Sequence, residues 1–301
     1  MIPLLSKARN GLSGWNKRRK VKRSLRASLA ASEKWASFGQ YSSSICVETS
    51  VGPLLVDPAD QKIVRNLLHL GKLNQLEIDL LKKLSRLPHP TLLVVGAHIG
   101  TLALPVAKHF ERVIVVEANP KTARLLERNI ALQQHQNVRL IQAAASDTPG
   151  ELEFLLNRVN SGGSKRLPKV ATESYLFDAE QQKVSAVRLD DVVDELVDVI
   201  LMDIEGGEIF ALQGMRRLLS QATYLSVEFL PHLIRNVASV GVDEWLHCIP
   251  LEFDSAHCPD QDLTVFGRGQ ILEFLRYKFE SFSNVDQLVF FCADRNPAGL
   301  G

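Results

Sequence analysis

The sequence predicts an α/β protein built on a doubly wound, mostly parallel sheet, and three features of the chain predict it. The apolar run Thr91–Val95 ends in a glycine loop, Gly96-Ala97-His98-Ile99-Gly100. A helical stretch follows, and a second apolar run, Arg112–Val116, ends in the single acid Glu117, roughly 20 residues past Gly96. Strand and helix signals then keep alternating as far as Phe229. A parallel strand–helix–strand unit of this kind holds a nucleoside. The loop backbone lies close to the ligand, and the acid accepts hydrogen bonds from ribose hydroxyls.

In chain order, residues 1–40 read as a basic arm, flexible or helical, with helical pattern from Leu25 to Phe38. Ser42-Ser43-Ser44 breaks it. Ile45–Thr49 and Pro53–Asp57 flank Val51-Gly52 and predict a small hairpin. Leu76, Leu80, Leu84 and Leu87 recur at helical spacing, so Leu76–Leu87 is a helix, stopped by Pro88 and Pro90. Residues 41–90 thus lead into a core domain over 91–301. There Leu92–Val95 is the first strand, Leu102–His109 a helix and Arg112–Val116 the second strand. Pro120 opens the next helix, where its missing N–H has no helical partner to lose. Val138–Ala143 is the third strand and Glu151–Leu156 a further one. The polar loop Asn160–Arg166 reads equally as an acceptor lid or a surface loop. Val184–Leu189 and Val197–Met202 are strands, the second ending at Asp203. Leu212–Leu219 is a helix and Tyr224–Phe229 another strand.

Composition bounds the class. A hydrophobic content of 46% and a charged content of 23% are ordinary for a soluble globular protein, and no apolar run reaches the length of a membrane span. Cys46, Cys248, Cys258 and Cys292 are far apart with no C-x-x-C pair, which fits reduced thiols in a cytoplasmic setting. The net charge of +1 hides an asymmetry. Residues 1–26 hold nine basic residues and no acid, leaving 26 basic against 34 acidic residues in the remainder. Such an arm suits peripheral contact with an anionic membrane surface, or is simply a solvated terminus. Its arginine- and serine-rich, acid-poor start also matches an organelle transit peptide. Trp15, Trp35 and Trp245 are scattered and form no stacking platform, so no specific nucleic-acid partner is expected.

In a doubly wound sheet, ligands bind outside the carboxyl ends of the strands, which gathers Glu117, Asp147, Asp203 and Glu228 on one rim. The loop is Gly-x-x-x-Gly and lacks the extra glycine of a pyrophosphate turn, so S-adenosylmethionine fits better than NAD. An ordinary strand-to-helix turn is the bland alternative. Three carboxylates, Asp203, Glu205 and Glu228, can in principle bind a hard cation. His232 follows the strand of Glu228. The pairs His247-Cys248 and His257-Cys258 match no zinc spacing, and no metal is expected.

With these residues in view, the chain resembles the FkbM family of S-adenosylmethionine-dependent methyltransferases over about residues 45–260. The family's D-V-G-A-N-x-G loop corresponds to Val94-Val95-Gly96-Ala97-His98-Ile99-Gly100, and its E-x-N/D-P to Glu117-Ala118-Asn119-Pro120. Its K-x-D-x-E-G-x-E hallmark is met from its second position on by Met202-Asp203-Ile204-Glu205-Gly206-Gly207-Glu208. Leu189-Asp190-Asp191-Val192 and Val227-Glu228-Phe229 resemble further family elements. Val94 and His98 stand where the family has an acid and an asparagine, and Leu201-Met202 precedes Asp203 without the family's lysine.

The resemblance implies a Rossmann-like class I methyltransferase fold, S-adenosylmethionine as cofactor, and O-methylation of a hydroxyl on a small metabolite or glycan. The expected cofactor residues are Gly96, Ala97, His98, Gly100, Glu117, Ala118, Asn119, Ala145, Asp147 and Asp203. The expected catalytic residues are Asp203, Glu205 and Glu228. Methyl transfer is an in-line displacement in which positioning supplies much of the rate and a general base assists an alcohol. Asp203 ends a strand at the rim, and Glu205 faces the same side if the chain there stays extended. A structural alternative makes Asp203 the cap of the following helix and leaves Glu208 solvated. The three departures motivate a second function, a non-catalytic nucleoside-binding or scaffold protein on the same fold. An NAD-dependent dehydrogenase is the weaker third reading, for want of the second glycine.

Overall fold

The computed structural model describes residues 43–300 apart from 61, 72–73 and 177–178, so the basic arm and the helix expected at 25–38 lie outside the described residues. Strands β1 (Ile45–Thr49) and β2 (Gly52–Val56) pair antiparallel as the expected hairpin. Helices Ile63–Leu70 and Gln75–Leu84 follow. The second stops at Leu84 rather than Leu87, with Ser85 as its cap. Its inner face is Ile78, Leu80, Leu81 and Leu84, all buried.

Strands β3 (Thr91–Val95), β4 (Arg112–Val116) and β5 (Val138–Ile141) run parallel, side by side. All five residues of β3 are buried. That explains its unbroken apolar run, because helices cover a parallel sheet on both faces. The helix Pro120–Leu132 returns the chain from β4 to β5, and Asn119 caps it by accepting from Lys121 N at 3.0 Å. Asn129 on this helix is fully buried. It donates to Leu55 O and Ile99 O and accepts from Leu55 N, tying helix, hairpin and glycine loop together. Asn129→Ala would leave all three backbone groups without that partner. We expect a loss of about 2–3 kcal/mol, read as a lower urea midpoint with unchanged m.

The next four strands correct the sequence expectation. β6 (Ala144–Ala145), β7 (Gly150–Asn157), β8 (Lys165–Arg166) and β9 (Ala179–Val187) form a separate sheet in the order β6-β9-β7-β8. The strands expected at Glu151–Leu156 and Val184–Leu189 exist, but they extend this sheet and not the main one. Their polarity is the reason. The run Glu180–Lys183 pairs across from Glu153–Leu156, and Lys183 meets Glu151 at 3.7 Å. Such residues suit a half-solvated antiparallel ribbon and not a central parallel strand.

The chain then returns to the main sheet through β10 (Val199–Met202), which is wholly buried and parallel to β3, and β11 (Tyr224–Phe229). The single helix expected at Leu212–Leu219 is two, Glu208–Gln213 and Arg216–Gln221. The break falls at Gly214, whose missing side chain leaves room for Ser146 O; a Cβ there would lie 2.0 Å from that oxygen. Three antiparallel strands, β12 (Ser255–Cys258), β13 (Leu263–Phe266) and β14 (Val285–Phe291), complete the sheet. Its order is β13-β12-β14-β11-β10-β3-β4-β5. The chain moves outward from β3 to β5, then restarts on the other side of β3 at β10. The order therefore reverses between β3 and β10, and this is where such folds open a ligand crevice. Among the described residues, no helix is long and apolar enough to cross a membrane.

Candidate active site

A cavity of about 470 Å3 opens at the carboxyl ends of β3, β4, β10 and β11, across that reversal. Its size is that of an ordinary small-molecule site. Gly96, Ala97 and His98 enter its wall from the loop after β3, Glu117 and Ala118 from the end of β4, Ala143 from the link after β5, and Ala144 and Ala145 from β6. Asp203 and Glu205 come from the end of β10, and Glu228 from β11.

The glycine loop is held from below. Gly96 N and Ala97 N both donate to Val116 O, at 2.9 and 3.0 Å. Gly96 has φ +87°, and a Cβ on it would lie 1.9 Å from Asp203 O. The glycine is therefore required first by the loop after β10, which presses directly on it, and not only by a ligand. His98 has φ +53°, a left-handed conformation in which asparagine and histidine are both enriched. Histidine, like the asparagine that the family resemblance leads one to expect there, suits this conformation.

Glu117 is 8% exposed. Its Oε2 accepts from His98 N and its Oε1 from Asn119 N, both at 2.8 Å. Burial pushes its carboxyl up to about 7, against the pull of those two N–H groups. Each oxygen retains a lone pair for a further donor.

The second acidic group sits opposite. Burial, then the charge of Glu205, raises Asp203 to about 6. Burial, then Asp203 and Glu205, drives Glu228 up to about 11. Glu228 is therefore protonated at neutral pH and hydrogen-bonds to Asp203, so the two carboxyls share one negative charge. The pairing of β11 with β14 slips between Val227 and Phe229, at Glu228, whose Oε2 is buried with no hydrogen-bond partner among the described residues.

The chain does not stay extended past Asp203. Glu205 and Gly206 take φ +55° and +95°, and Glu205 still reaches the cavity wall. There Lys165 Nζ meets its Oε2 at 3.0 Å, with both side chains largely buried. Asp203 does not cap the next helix, whose N-cap is Gly207. Glu208 is not solvated either. It is 3% exposed, and its Oε1 accepts from Gly206 N and Ile204 N, closing the loop.

Three expected cofactor residues lie outside the cavity wall. Gly100 packs instead against Leu104 and Leu126, either of which would meet a Cβ within 3.0 Å. Asn119 is spent on capping, and Asp147 accepts from Ser146 Oγ beyond β6. His232 is also outside it. Not expected from the sequence are Asn66 and Glu77, from the helices Ile63–Leu70 and Gln75–Leu84, and Asp286 and Gln287, from β14. Leu152 and Phe154 of the second sheet line the cavity as well, and so does the loop Asn160–Arg166, which the sequence reads equally as a lid or a surface loop. That segment lines the cavity through Asn160, Ser161, Gly162, Ser164 and Arg166, the last stacked 3.5 Å over the Phe210 ring. The usable signal was a polar residue, such as Asn66, interrupting a short apolar helix. No group of His, Cys, Asp and Glu among the described residues is placed to hold a metal ion.

The model of the methyltransferase FkbM domain family matches residues 95–247. No curated protein matches the chain. Among solved structures, an FkbM methyltransferase from Methylobacillus flagellatus KT is 17% identical, with a TM-score of 0.40. The match covers 77% of this chain and 61% of that one, so this chain spans less than two thirds of that protein's length. A S-adenosylmethionine-dependent methyltransferase from Agrobacterium tumefaciens is 14% identical, covering 63% of this chain and 53% of that one at a TM-score of 0.36. A precorrin-6y C5,15-methyltransferase from Geobacter metallireducens GS-15 is 11% identical, covering 51% and 61% at a TM-score of 0.31.

Proposed function

This chain belongs to the FkbM methyltransferase family, and from that membership we propose that it binds S-adenosylmethionine and methylates a hydroxyl of a small molecule or glycan. The observation that carries the reading is Glu117, a buried carboxylate held by two backbone N–H groups at the strand-order reversal with acceptor capacity to spare. The residues present fit a nucleoside. Ala118, Ala144, Ala145, Leu152 and Phe154 offer an apolar slot for a base beside Glu117, which accepts from ribose hydroxyls. When bound, the sulfonium supplies an electrophilic methyl group. The acidic wall suits that positive charge.

Asp203 is the residue to take the acceptor's proton. At neutral pH it is the ionised member of the pair, while Glu228 holds its proton and donates to it. Glu205 is less suited to the role because Lys165 occupies its Oε2. It orients the loop instead. The acceptor comes from the side lined by Asn66, Glu77 and the turn at Ser161. The basic arm at residues 1–26 is proposed to bring the protein to an anionic membrane surface.

Glu117 supplies the test. Donors on a ligand favour its ionised form, and its carboxyl titrates at about 7. The affinity for S-adenosylhomocysteine should therefore rise with pH up to about 7 and level off above it. Glu117→Gln should weaken binding by about 1–3 kcal/mol at pH 8 and lose this pH dependence. Isothermal titration from pH 5.5 to 8.5 reads both. A wild-type affinity that is flat with pH, or a glutamine variant that binds as wild type, contradicts the ribose assignment.

A further inference from the structure

Three residues from separate parts of the chain form one hydrogen-bonded line into the cavity. Asp60, 3% exposed, precedes the helix Ile63–Leu70. Its Oδ1 accepts from Lys62 N at 3.0 Å and Ile63 N at 2.9 Å. Its Oδ2 accepts from Ser161 N at 2.9 Å and from Ser161 Oγ at 2.5 Å. Ser161 Oγ in turn lies 2.6 Å from His98 Nε2.

Proton counting settles the direction of the line. Among the described residues, the Asp60 carboxylate accepts from four donors. The single hydroxyl proton of Ser161 is spent on Asp60, so toward His98 the serine oxygen can only accept. The proton in that short contact therefore belongs to His98 Nε2. Burial keeps the imidazole below its usual range, so the ring is neutral and Nδ1 is bare. Nδ1 has no partner among the described residues, and it is not among the buried atoms sealed off without one. His98 itself lines the cavity.

We propose that His98 Nδ1 accepts a hydrogen bond from an N–H or O–H group of the molecule in the cavity, with Asp60 and Ser161 as positioning residues that lock the ring as the Nε2–H tautomer. A free imidazole samples both tautomers. Here the turn Ser161–Gly163 and the segment before the helix Ile63–Leu70 select one of them before any ligand arrives. The same line joins the glycine loop to that turn, so the shape of the cavity and the acceptor it presents are set together. The donor's identity rests on the reading that the cavity takes S-adenosylmethionine. On that reading it is either the ammonium of the amino-acid end or a group of the nucleoside.

The test uses the full chain labelled with 15N-histidine, in which long-range proton–nitrogen spectra distinguish bare from protonated ring nitrogens. His98→Gln assigns the His98 signals by difference. In ligand-free protein the expected result is one tautomer, Nε2–H with Nδ1 bare. Ser161→Ala should release a mixture of tautomers, and Ser161→Thr, which keeps the hydroxyl, should restore the single form. Ser161→Ala should also weaken S-adenosylhomocysteine about five- to tenfold, the scale of one hydrogen bond. Adding S-adenosylhomocysteine should move the Nδ1 signal in the direction of hydrogen bonding. If 5′-methylthioadenosine, which lacks the amino-acid end, moves it equally, the donor is on the nucleoside. If it does not, the donor is the ammonium. A protonated Nδ1 in the ligand-free protein overturns the proposal, as does an unmoved Nδ1 in protein that binds S-adenosylhomocysteine by calorimetry. Absence of binding by the wild type would instead refute the cofactor reading and leave the tautomer result to stand or fall alone.

Discussion

Gly96→Val is expected to abolish the site. The residue sits at φ +87°, where a branched side chain is strained wherever it has room. Here it has none. A Cβ would lie 1.9 Å from Asp203 O and 2.9 Å from both Asp203 C and the Ile204 side chain. Those atoms are backbone or wedged beside it, so relief requires the loop after β10 to move. That loop carries Asp203 and Glu205, and the displacement therefore reaches the acceptor side as well as the cofactor side. We expect at least about a hundredfold loss of S-adenosylhomocysteine affinity, or about 3 kcal/mol, together with a lower melting temperature. Titration and thermal melts of the same preparation check it. A variant that binds and melts as wild type would show that the two loops do not press together.

Asp203→Asn is expected to bind S-adenosylhomocysteine as wild type does and to lower single-turnover methyl transfer at least about tenfold. The amide cannot take a proton from an acceptor hydroxyl, and it interrupts the shared proton with Glu228. Because Asp203 is not the cap of the following helix, the variant should not show the melting-temperature loss of a missing helix cap. The wild-type rate should rise with pH through about 6, as Asp203 ionises, and the asparagine variant should lack that rise. Unchanged turnover would take Asp203 off the list of catalytic groups and leave positioning as the source of rate.

The parts of the fold legible in the sequence are those where one physical demand dominates. Thr91–Val95 and Val199–Met202 are buried on both faces, so their composition could serve little else. Glu117 and Asp203 were legible for the same reason, as lone acids ending such runs. The second sheet was not, because β9 is polar and exposed over most of its length and the first residues of β7 are exposed too, and such strands do not announce which sheet they join. Gly96 was legible as a required glycine but for an incomplete reason, since the loop that presses on it lies more than a hundred residues away in the chain. The pairing of Glu205 with Lys165 and the line from Asp60 through Ser161 to His98 join residues far apart in sequence. No local spacing encodes such contacts. Glu208 stands between these cases. Its position in the Asp-x-Glu-Gly-x-Glu motif was visible, but its buried role in closing the loop was not.

A nucleoside site built on Glu117 at the β3–β10 reversal makes one binding measurement decisive. Isothermal titration of the full chain with S-adenosylhomocysteine, run on wild type and Glu117→Ala in parallel, tests it most directly. Saturable one-site binding by the wild type and a loss of about 1–3 kcal/mol in the variant are the expected result. No heat and no thermal shift with the wild type, or equal affinity in the two proteins, would contradict it.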